Sequence, residues 1–449
     1  MNRLLLYRDR PEVESAIQAL SDSIDKLDNS MQRLSQGYGD YTRRLSISLG
    51  DLTRYLRPGE VAIEFMACER KNDIEYYAAF IRGGQKVPSL VYLCRDAELN
   101  NSDSVYYHIW QPLEPFMDGI ETVFFSPSGE LYNTAIESVA LPVSGQIIGE
   151  KYAMYRLSST REVVLRRDHE FICQAEKAAR TAVLYGGLDY DLMEEGVNDS
   201  VPTGVRAVFS LNRQGRTSIS GFDYLPGTEQ EVQFIDGLLS RQGSYNSVTT
   251  YTGSAGTEAT FKTLTGHEID ILHIATHGFY LTPQESGSMM EDASIISAAN
   301  ASISFRDKEL LRSGLLFAGA NNSLLGEQIE HGDDGILTSL EIASIDLSRL
   351  DLVVLSACET ALGDVTNDGV YGLQRGFKKS GAHTLLMSLH AVDDDATQLL
   401  MTEFYRNLLK GRSKRESLLS AQRYLREYDQ GMYSDPDYWA AFILLDALD

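Results

Sequence analysis

The sequence predicts an α/β protein: a mostly parallel sheet flanked by helices. Two observations carry this. Apolar runs of strand length recur along the chain, as at residues 61–66, 122–126, 181–187, 269–275 and 351–356. Between many of them lie segments whose apolar residues return every three or four positions, the period of a helix with one buried face. Strands that alternate with helices run parallel, and such a sheet is covered on both faces.

Taken in order, residues 11–57 read as helix. Val13, Ile17, Leu20, Ile24, Leu27, Met31 and Leu34 form its apolar stripe, Gly37-Tyr38-Gly39 breaks it, and a shorter helix ends at Pro58-Gly59. The stripe lasts about three heptads, short for a free coiled coil, so it reads as core or docking surface. Strands follow at 61–66, 76–81, 89–93 and 122–126. They belong to one α/β unit reaching to about residue 175.

A second unit opens with strand 181–187. Residues 189–226 are rich in Gly, Ser, Asp and Asn and read as a long mobile loop. Thr228 and Glu231 have the spacing of a capping box, in which hydroxyl and carboxylate satisfy free N–H groups at a helix start. Val232, Ile235, Leu238 and Leu239 give that helix its apolar face. Strand 247–251, helix 257–264 and strand 269–275 come next. Residues 281–335 look irregular apart from a helix at 308–321. Strand 351–356, helix 369–380, strand 383–389, helices 394–409 and 414–427 and strand 438–445 complete the unit. The predicted divisions are a helical segment 1–57, a first α/β half 58–175 and a second half 176–449.

Composition removes several function classes. The chain has 449 residues, 40 basic and 64 acidic, for a net charge of −24. Such a surface repels phosphate backbones, which argues against general nucleic-acid binding. The four cysteines, Cys68, Cys94, Cys173 and Cys358, contain no CxxC pair and no zinc framework, so a reducing, cytoplasmic setting and no metal are expected. No run of about 18 apolar residues is present, so no membrane span is expected. The N-terminal apolar run is too short for a secretion signal. Without GxxxxGK[ST], or GxGxxG after a strand, no nucleotide cofactor is expected; no cofactor of any kind is called for.

The chemistry gathers at two strand ends. Ile271-Leu272-His273-Ile274-Ala275-Thr276-His277-Gly278 and Leu352-Val353-Val354-Leu355-Ser356-Ala357-Cys358-Glu359-Thr360 are apolar runs that stop on a reactive residue beside a small one. Ligand sites in parallel sheets lie beyond the carboxyl ends of the strands. A free thiol titrates at about 8.5 and attacks only as thiolate; a neighbouring imidazole takes its proton and later returns it to a leaving amine. Gly278 lets a substrate backbone pass close, and the N–H groups of Gly278 and Cys358 are suited to hold a developing oxyanion. Taken singly, a lone Cys is usually a small buried hydrophobe and a lone His usually packs. His273 reads as such a structural histidine.

Further motifs give this pair a family. Thr276-His277-Gly278-Phe279, Leu355-Ser356-Ala357-Cys358-Glu359-Thr360-Ala361-Leu362-Gly363, Gly369-Val370-Tyr371-Gly372-Leu373, Ser388-Leu389 and Tyr438-Trp439-Ala440-Ala441-Phe442 resemble the CHAT domain. That is a caspase-like peptidase domain often joined to tetratricopeptide repeats and grouped with caspases, separases and gingipains. The resemblance covers roughly residues 55–449. It implies a caspase-like fold in which the first half is inactive and packs against an active second half. It implies a cysteine endopeptidase with His277 as general base and Cys358 as nucleophile. It also implies a protein substrate, a regulatory partner or upstream repeat domain, and a role in bacterial defence or regulated cell death. This chain departs from the family in having His390 where a Trp usually follows Ser388-Leu389, which bears on substrate preference.

Asp393-Asp394-Asp395 follows that loop. One reading places a carboxylate, Asp394 foremost with Asp393 beside it, at the base of a pocket for an arginine side chain, where it would pair bidentately with a guanidinium. The other is a helix start, where Asp caps free N–H groups and favours the dipole. If arginine is preferred, Arg306 and Arg312 in the connector between His277 and Cys358 are self-cleavage points; the plain alternative is a surface insertion. Glu359 takes no assigned role. The competing reading of the whole chain is a catalytically silent caspase-like scaffold.

Overall fold

The computed structural model describes residues 46–70, 73–99, 105–168, 180–191, 221–241, 245–280, 308–324, 333–356, 363–366, 369–390 and 392–448. Helix α1 (Leu49–Tyr55) starts on Ser48, whose hydroxyl accepts the Asp51 N–H while the Asp51 carboxylate takes the Ser48 N–H. β1 (Glu60–Arg70) and β2 (Asp73–Arg82) pair antiparallel, and β3 (Ser89–Arg95) adds to β2. β4 (Thr122–Ser126) runs parallel to β1, and β5 (Ala153–Arg156) parallel to β4. Alternation along β1 sends Val61, Ile63 and Phe65 to one face, against Ile109, Trp110 and Leu113. Ala62 goes to the other, where α1 and α2 (Arg161–Arg167) supply Leu52, Leu56, Val163 and Val164.

The second group starts with β6 (Thr181–Leu188), then α3 (Pro226–Arg241), β7 (Ser247–Gly253) and β8 (Ile269–Ile274). A separate three-stranded sheet follows, of β9 (Gly278–Tyr280), β10 (Ser313–Leu316) and β11 (Ile336–Thr338). Next come β12 (Leu350–Leu355), a ribbon of β13 (Gly363–Thr366) and β14 (Gly369–Gly372), α4 (Leu373–Lys379) and β15 (Thr384–Ser388). α5 (Asp394–Leu409), α6 (Lys414–Glu427) and β16 (Phe442–Leu445) close the chain.

Eleven strands make one continuous sheet in the order β3-β2-β1-β4-β5-β16-β15-β12-β8-β6-β7. β7, β6, β8, β12 and β15 are mutually parallel, so their carboxyl ends share one edge. β8 and β12 are neighbours, in register from Leu350 beside Ile269 to Leu355 beside Ile274. Both are mostly apolar and buried, as inner strands of a covered sheet usually are, with Asp270 and His273 the buried polar residues of β8. One face packs on α3, α5 and α6 through Val232, Ile235, Leu400, Phe404 and Leu418. The other buries Phe261, Phe317, Leu373 and Phe377.

β16 is the seam. It pairs antiparallel with β15 and parallel with β5, so the C-terminal strand ties the two groups together. Asp446 just beyond it is 1% exposed. Its carboxylate accepts the Ser158 N–H (2.7 Å) and Oγ–H (2.8 Å) from the first group and pairs with Lys378 Nζ (2.7 Å) from the second. Its own N–H donates to the Arg156 carbonyl. Asp446 sits at φ 57°, a left-handed position that Asp tolerates better than most residues.

Several sequence expectations change. The capping box does not form: α3 begins at Pro226, Thr228 Oγ1 donates to the Leu225 carbonyl and accepts the Gly187 N–H, and Glu231 turns inward. Helix 308–321 is instead a short turn (Lys308–Arg312), strand β10 and a short helix (Ala320–Leu324). Strand pairing overrode helix propensity there; a Cβ on Gly314 would stand 2.5 Å from the Leu337 carbonyl oxygen, so the partner strand fits only against glycine. Helix 369–380 begins only at Leu373, because Gly369–Gly372 pairs with β13. Strand 438–445 shortens to β16, since Asp435 caps a helical turn at Pro436–Trp439. β5 and the three-stranded sheet were not foreseen. The helical reading of residues 11–45, and most of the loop 189–226, lie outside the described residues.

Candidate active site at the edge of the parallel strands

His277 lies three residues past β8, at the carboxyl edge. Phe222 and Tyr190 flank its ring, with centroids at 5.1 and 5.2 Å. Nε2 stands 2.9 Å from the carbonyl oxygen of Asp223. A carbonyl can only accept, so Nε2 carries the proton and donates it. In the neutral ring this leaves the Nδ1 lone pair free to take a proton. Burial holds the His277 pKa below its ordinary 6.5, and the Asp223 carbonyl and the Asp394 carboxylate only partly oppose it. The ring is therefore neutral at physiological pH, the form a general base requires.

The support beneath the ring is fully directed. Thr276 Oγ1 donates to the Leu316 carbonyl, so the Tyr190 hydroxyl donates to Thr276 Oγ1 (2.8 Å) and accepts the His277 N–H (3.4 Å). Asn321, 1% exposed, pins this wall: its side chain accepts the Phe222 N–H and donates to the Phe222 carbonyl and to Asp191. The His277 carbonyl accepts from the Leu316 N–H. Hydrogen-bonded and non-bonded positions alternate in an antiparallel pair, so Gly278, opposite Leu315, falls at a non-bonded position. Its N–H is turned away from β10.

The neighbouring strand reaches the same edge at Ser356, whose N–H donates to the Ile274 carbonyl (2.9 Å). Cys358 is two residues further on; it and Glu359 lie outside the described residues.

Below the edge runs a buried polar chain. The Ser356 hydroxyl donates to Glu231 Oε2 (3.0 Å), Glu231 Oε1 approaches His273 Nε2 to 3.1 Å, and His273 Nδ1 meets the Tyr405 hydroxyl at 3.0 Å. The Glu231–His273 approach is too bent for an aligned hydrogen bond. Burial, then Tyr245 and Glu231, raises the Tyr405 pKa, so its hydroxyl keeps the proton.

Asp393 is the N-cap of α5, with Oδ1 2.9 Å from the Ala396 N–H. Asp394 occupies the exposed first turn beside the start of α3: a Cβ on Gly227 would stand 3.8 Å from Asp394 Oδ2. Partial desolvation, then Asp393, Asp395 and Glu231, raises its pKa, while His277 opposes the rise. Asp394 thus shares the electrostatic field of His277. His390 is half-buried, two residues past β15. Arg312 is 7% exposed at the start of a paired strand, so a peptidase cannot reach it in the folded protein; Arg306 lies outside the described residues. Among the described residues, no group of three or more His, Cys, Asp or Glu side chains could hold a metal ion, and no helix is long and apolar enough to cross a membrane.

Sequence reasoning missed Tyr190, Phe222, Asp223, Asn321, Glu231 and Tyr405. Phe222 and Asp223 lie in the stretch read as loop, and Glu231 was assigned to a cap. None carries a local signal, because each works through a contact distant in sequence.

A family model described as the CHAT domain matches residues 101–447. Tetratricopeptide repeat protein 28 of Homo sapiens is 27% identical over 230 residues, which is 49% of this chain and 8% of that protein. Its Mus musculus counterpart is 34% identical over 110 residues, 24% of this chain and 4% of that protein. The chain thus spans less than a tenth of the length of these relatives. Among solved structures, the Arg-specific cysteine proteinase gingipain R aligns at 10% identity and TM-score 0.39, covering 77% of this chain and 67% of the other. The Saccharomyces cerevisiae separase in complex with securin aligns at 10% identity and TM-score 0.39, covering 77% of this chain and 17% of the other.

Proposed function

Given that the chain belongs to the CHAT domain family, we propose that it is a cysteine endopeptidase acting through His277 and Cys358. The observation that carries this is the state of His277: neutral, with Nε2–H committed to the Asp223 carbonyl and Nδ1 left as base, on the strand beside the one that leads to Cys358. Cys358 gives its proton to Nδ1, and the thiolate sulfur bonds to the scissile carbonyl carbon. The oxyanion that forms is held by the N–H groups of Gly278 and Cys358. The imidazolium returns the proton to the departing amine as the C–N bond breaks. Water then attacks the thioester, losing its proton to His277, and the thiol leaves with that proton.

A peptide electrophile, such as an acyloxymethyl ketone, is expected to label the wild type stoichiometrically and to leave Cys358→Ala unlabelled, read by intact mass. Equal labelling of the two proteins would sink this reading. It would favour a silent scaffold, the reading suggested by relatives named for their repeats rather than for an activity.

Asp394 supports arginine as the residue before the cut: it is an exposed carboxylate within the field of His277. Asp393 is already engaged as a cap, which leaves the pocket role to its neighbour. Peptides differing only at that residue are expected to show Arg favoured over Leu. Asp394→Asn should lower kcat/KM for the Arg peptide by about tenfold, the weight of one charge-assisted pair, and leave a Leu peptide unchanged. Preference for Leu in the wild type would remove the assignment. A protein substrate and a regulatory partner or adjoining repeat domain complete the proposal.

A further inference from the structure

α3 and the residues leading into it touch His277 and Ser356, the last described residue before Cys358. At one end, Phe222 packs on the His277 ring and the Asp223 carbonyl fixes its Nε2 proton. One helical turn beyond the start, the Glu231 carboxylate takes the Ser356 hydroxyl. The helix is seated on the end of β6 with no play. A Cβ on Gly186 would stand 2.5 Å from the Thr228 carbonyl oxygen, and one on Gly187, at φ 60°, 2.5 Å from Glu229 Cβ. Base and nucleophile strand are thus referred to one rigid body.

We propose that Glu231 is a positioning residue: by holding Ser356 it sets the end of the strand that leads to Cys358 in register with His277.

Ser356 is fixed twice, by its N–H to Ile274 and by its hydroxyl to Glu231. Two peptide units span at most about 7 Å, so the anchored Ser356 limits where Cys358 can stand. Stability alone does not call for a carboxylate here. Glu231 is 5% exposed, and the cluster around it includes Val232, Ala275, Val354 and Phe404. Well-packed apolar residues in such a place are commonly as stable as a buried charge. What the carboxylate adds is direction: one oxygen accepts the Ser356 hydroxyl, while the other lies 3.1 Å from Nε2 of His273, a ring that Tyr405 meets from its far side.

This rests on the Cys358 dyad, and the chain's own cysteines let the two ideas fail separately. Iodoacetamide alkylation of the full chain, read residue by residue by mass spectrometry, gives a rate for each of the four cysteines, and those of Cys68, Cys94 and Cys358 decide. Cys68 is exposed and far from the site, so it reports the reagent. Cys94 is 1% exposed, with its thiol pushed up to about 12 by burial, so it reports unfolding. In the wild type, Cys358 should react faster than Cys68 at neutral pH; if it does not, the dyad itself is wrong and the inference falls with it. In Glu231→Gln and in Ser356→Ala, the Cys358 rate should fall about tenfold or more, the usual cost of misplacing a reacting group by a fraction of an ångström to an ångström. Its pH midpoint should rise toward the free-thiol value of about 8.5. Cys68 should keep its rate and Cys94 its protection. An unchanged Cys358 rate and midpoint in both variants overturn the positioning role. If Glu231→Gln exposes Cys94, Ser356→Ala decides, since it removes one hydroxyl and leaves Glu231 with His273.

Discussion

Replacing His277 with alanine is expected to lower kcat/KM for a cleaved peptide on the order of 10⁴-fold or more, about 5.5 kcal/mol of transition-state stabilisation. The size follows from its double duty. In the proposed mechanism the ring takes the thiol proton and later delivers it to the amine. The pH profile gives an independent check. Burial outweighs the Asp223 carbonyl and Asp394, so the His277 pKa lies below 6.5. Neutral imidazole is the active form; kcat/KM should therefore be full above about pH 6.5 and fall as pH drops through the depressed value. An acid limb centred above pH 7 would show that another group is the base. Removing the rings that bury His277, as in Phe222→Ala, should shift the limb toward higher pH, because solvent then stabilises the imidazolium.

Replacing Asp446 with alanine should destabilise the fold by about 3–5 kcal/mol, the range for removing one partner of a buried charge pair. The Lys378 ammonium would lose its partner, and the Ser158 N–H and hydroxyl their acceptor. Alanine also fits poorly at φ 57°. Asp446→Asn keeps the side-chain oxygen and tolerates that φ, so it should cost clearly less. The readout is the urea midpoint at constant m-value. An unfolding free energy within about 0.5 kcal/mol of wild type for both variants would mean that the seam is held by strand pairing alone.

Much of the core was legible because it is written locally. The inner strands announced themselves as mostly apolar runs, since a strand covered on both faces has few polar positions to spare. Helices Asp394–Leu409 and Lys414–Glu427 matched their predicted bounds to the residue, because Asp393 and Ser413 cap them and an apolar stripe runs to their ends. The failures came where a partner distant in sequence overruled a local signal. Ser313–Leu316 is a strand because Tyr280 and Leu337 lie on either side of it. Glu231 reads as a cap from Thr228 onward, yet its carboxylate is buried against Ser356, 125 residues away in sequence.

The sequence by itself determined the fold class, the strands that lead to His277 and to Ser356, and, through the Ser-Ala-Cys-Glu-Thr motif with its upstream His-Gly, the family. Those are properties of short segments, fixed by hydrophobic period and by residue type at one place. Only the tertiary structure decided how His277 is protonated and what holds Ser356. The Asp223 carbonyl, the Phe222 and Tyr190 rings and the Glu231 carboxylate act across long sequence separations. A hydrogen bond or a desolvated ring is a relation between surfaces that chain folding brings together, and no segment contains it alone.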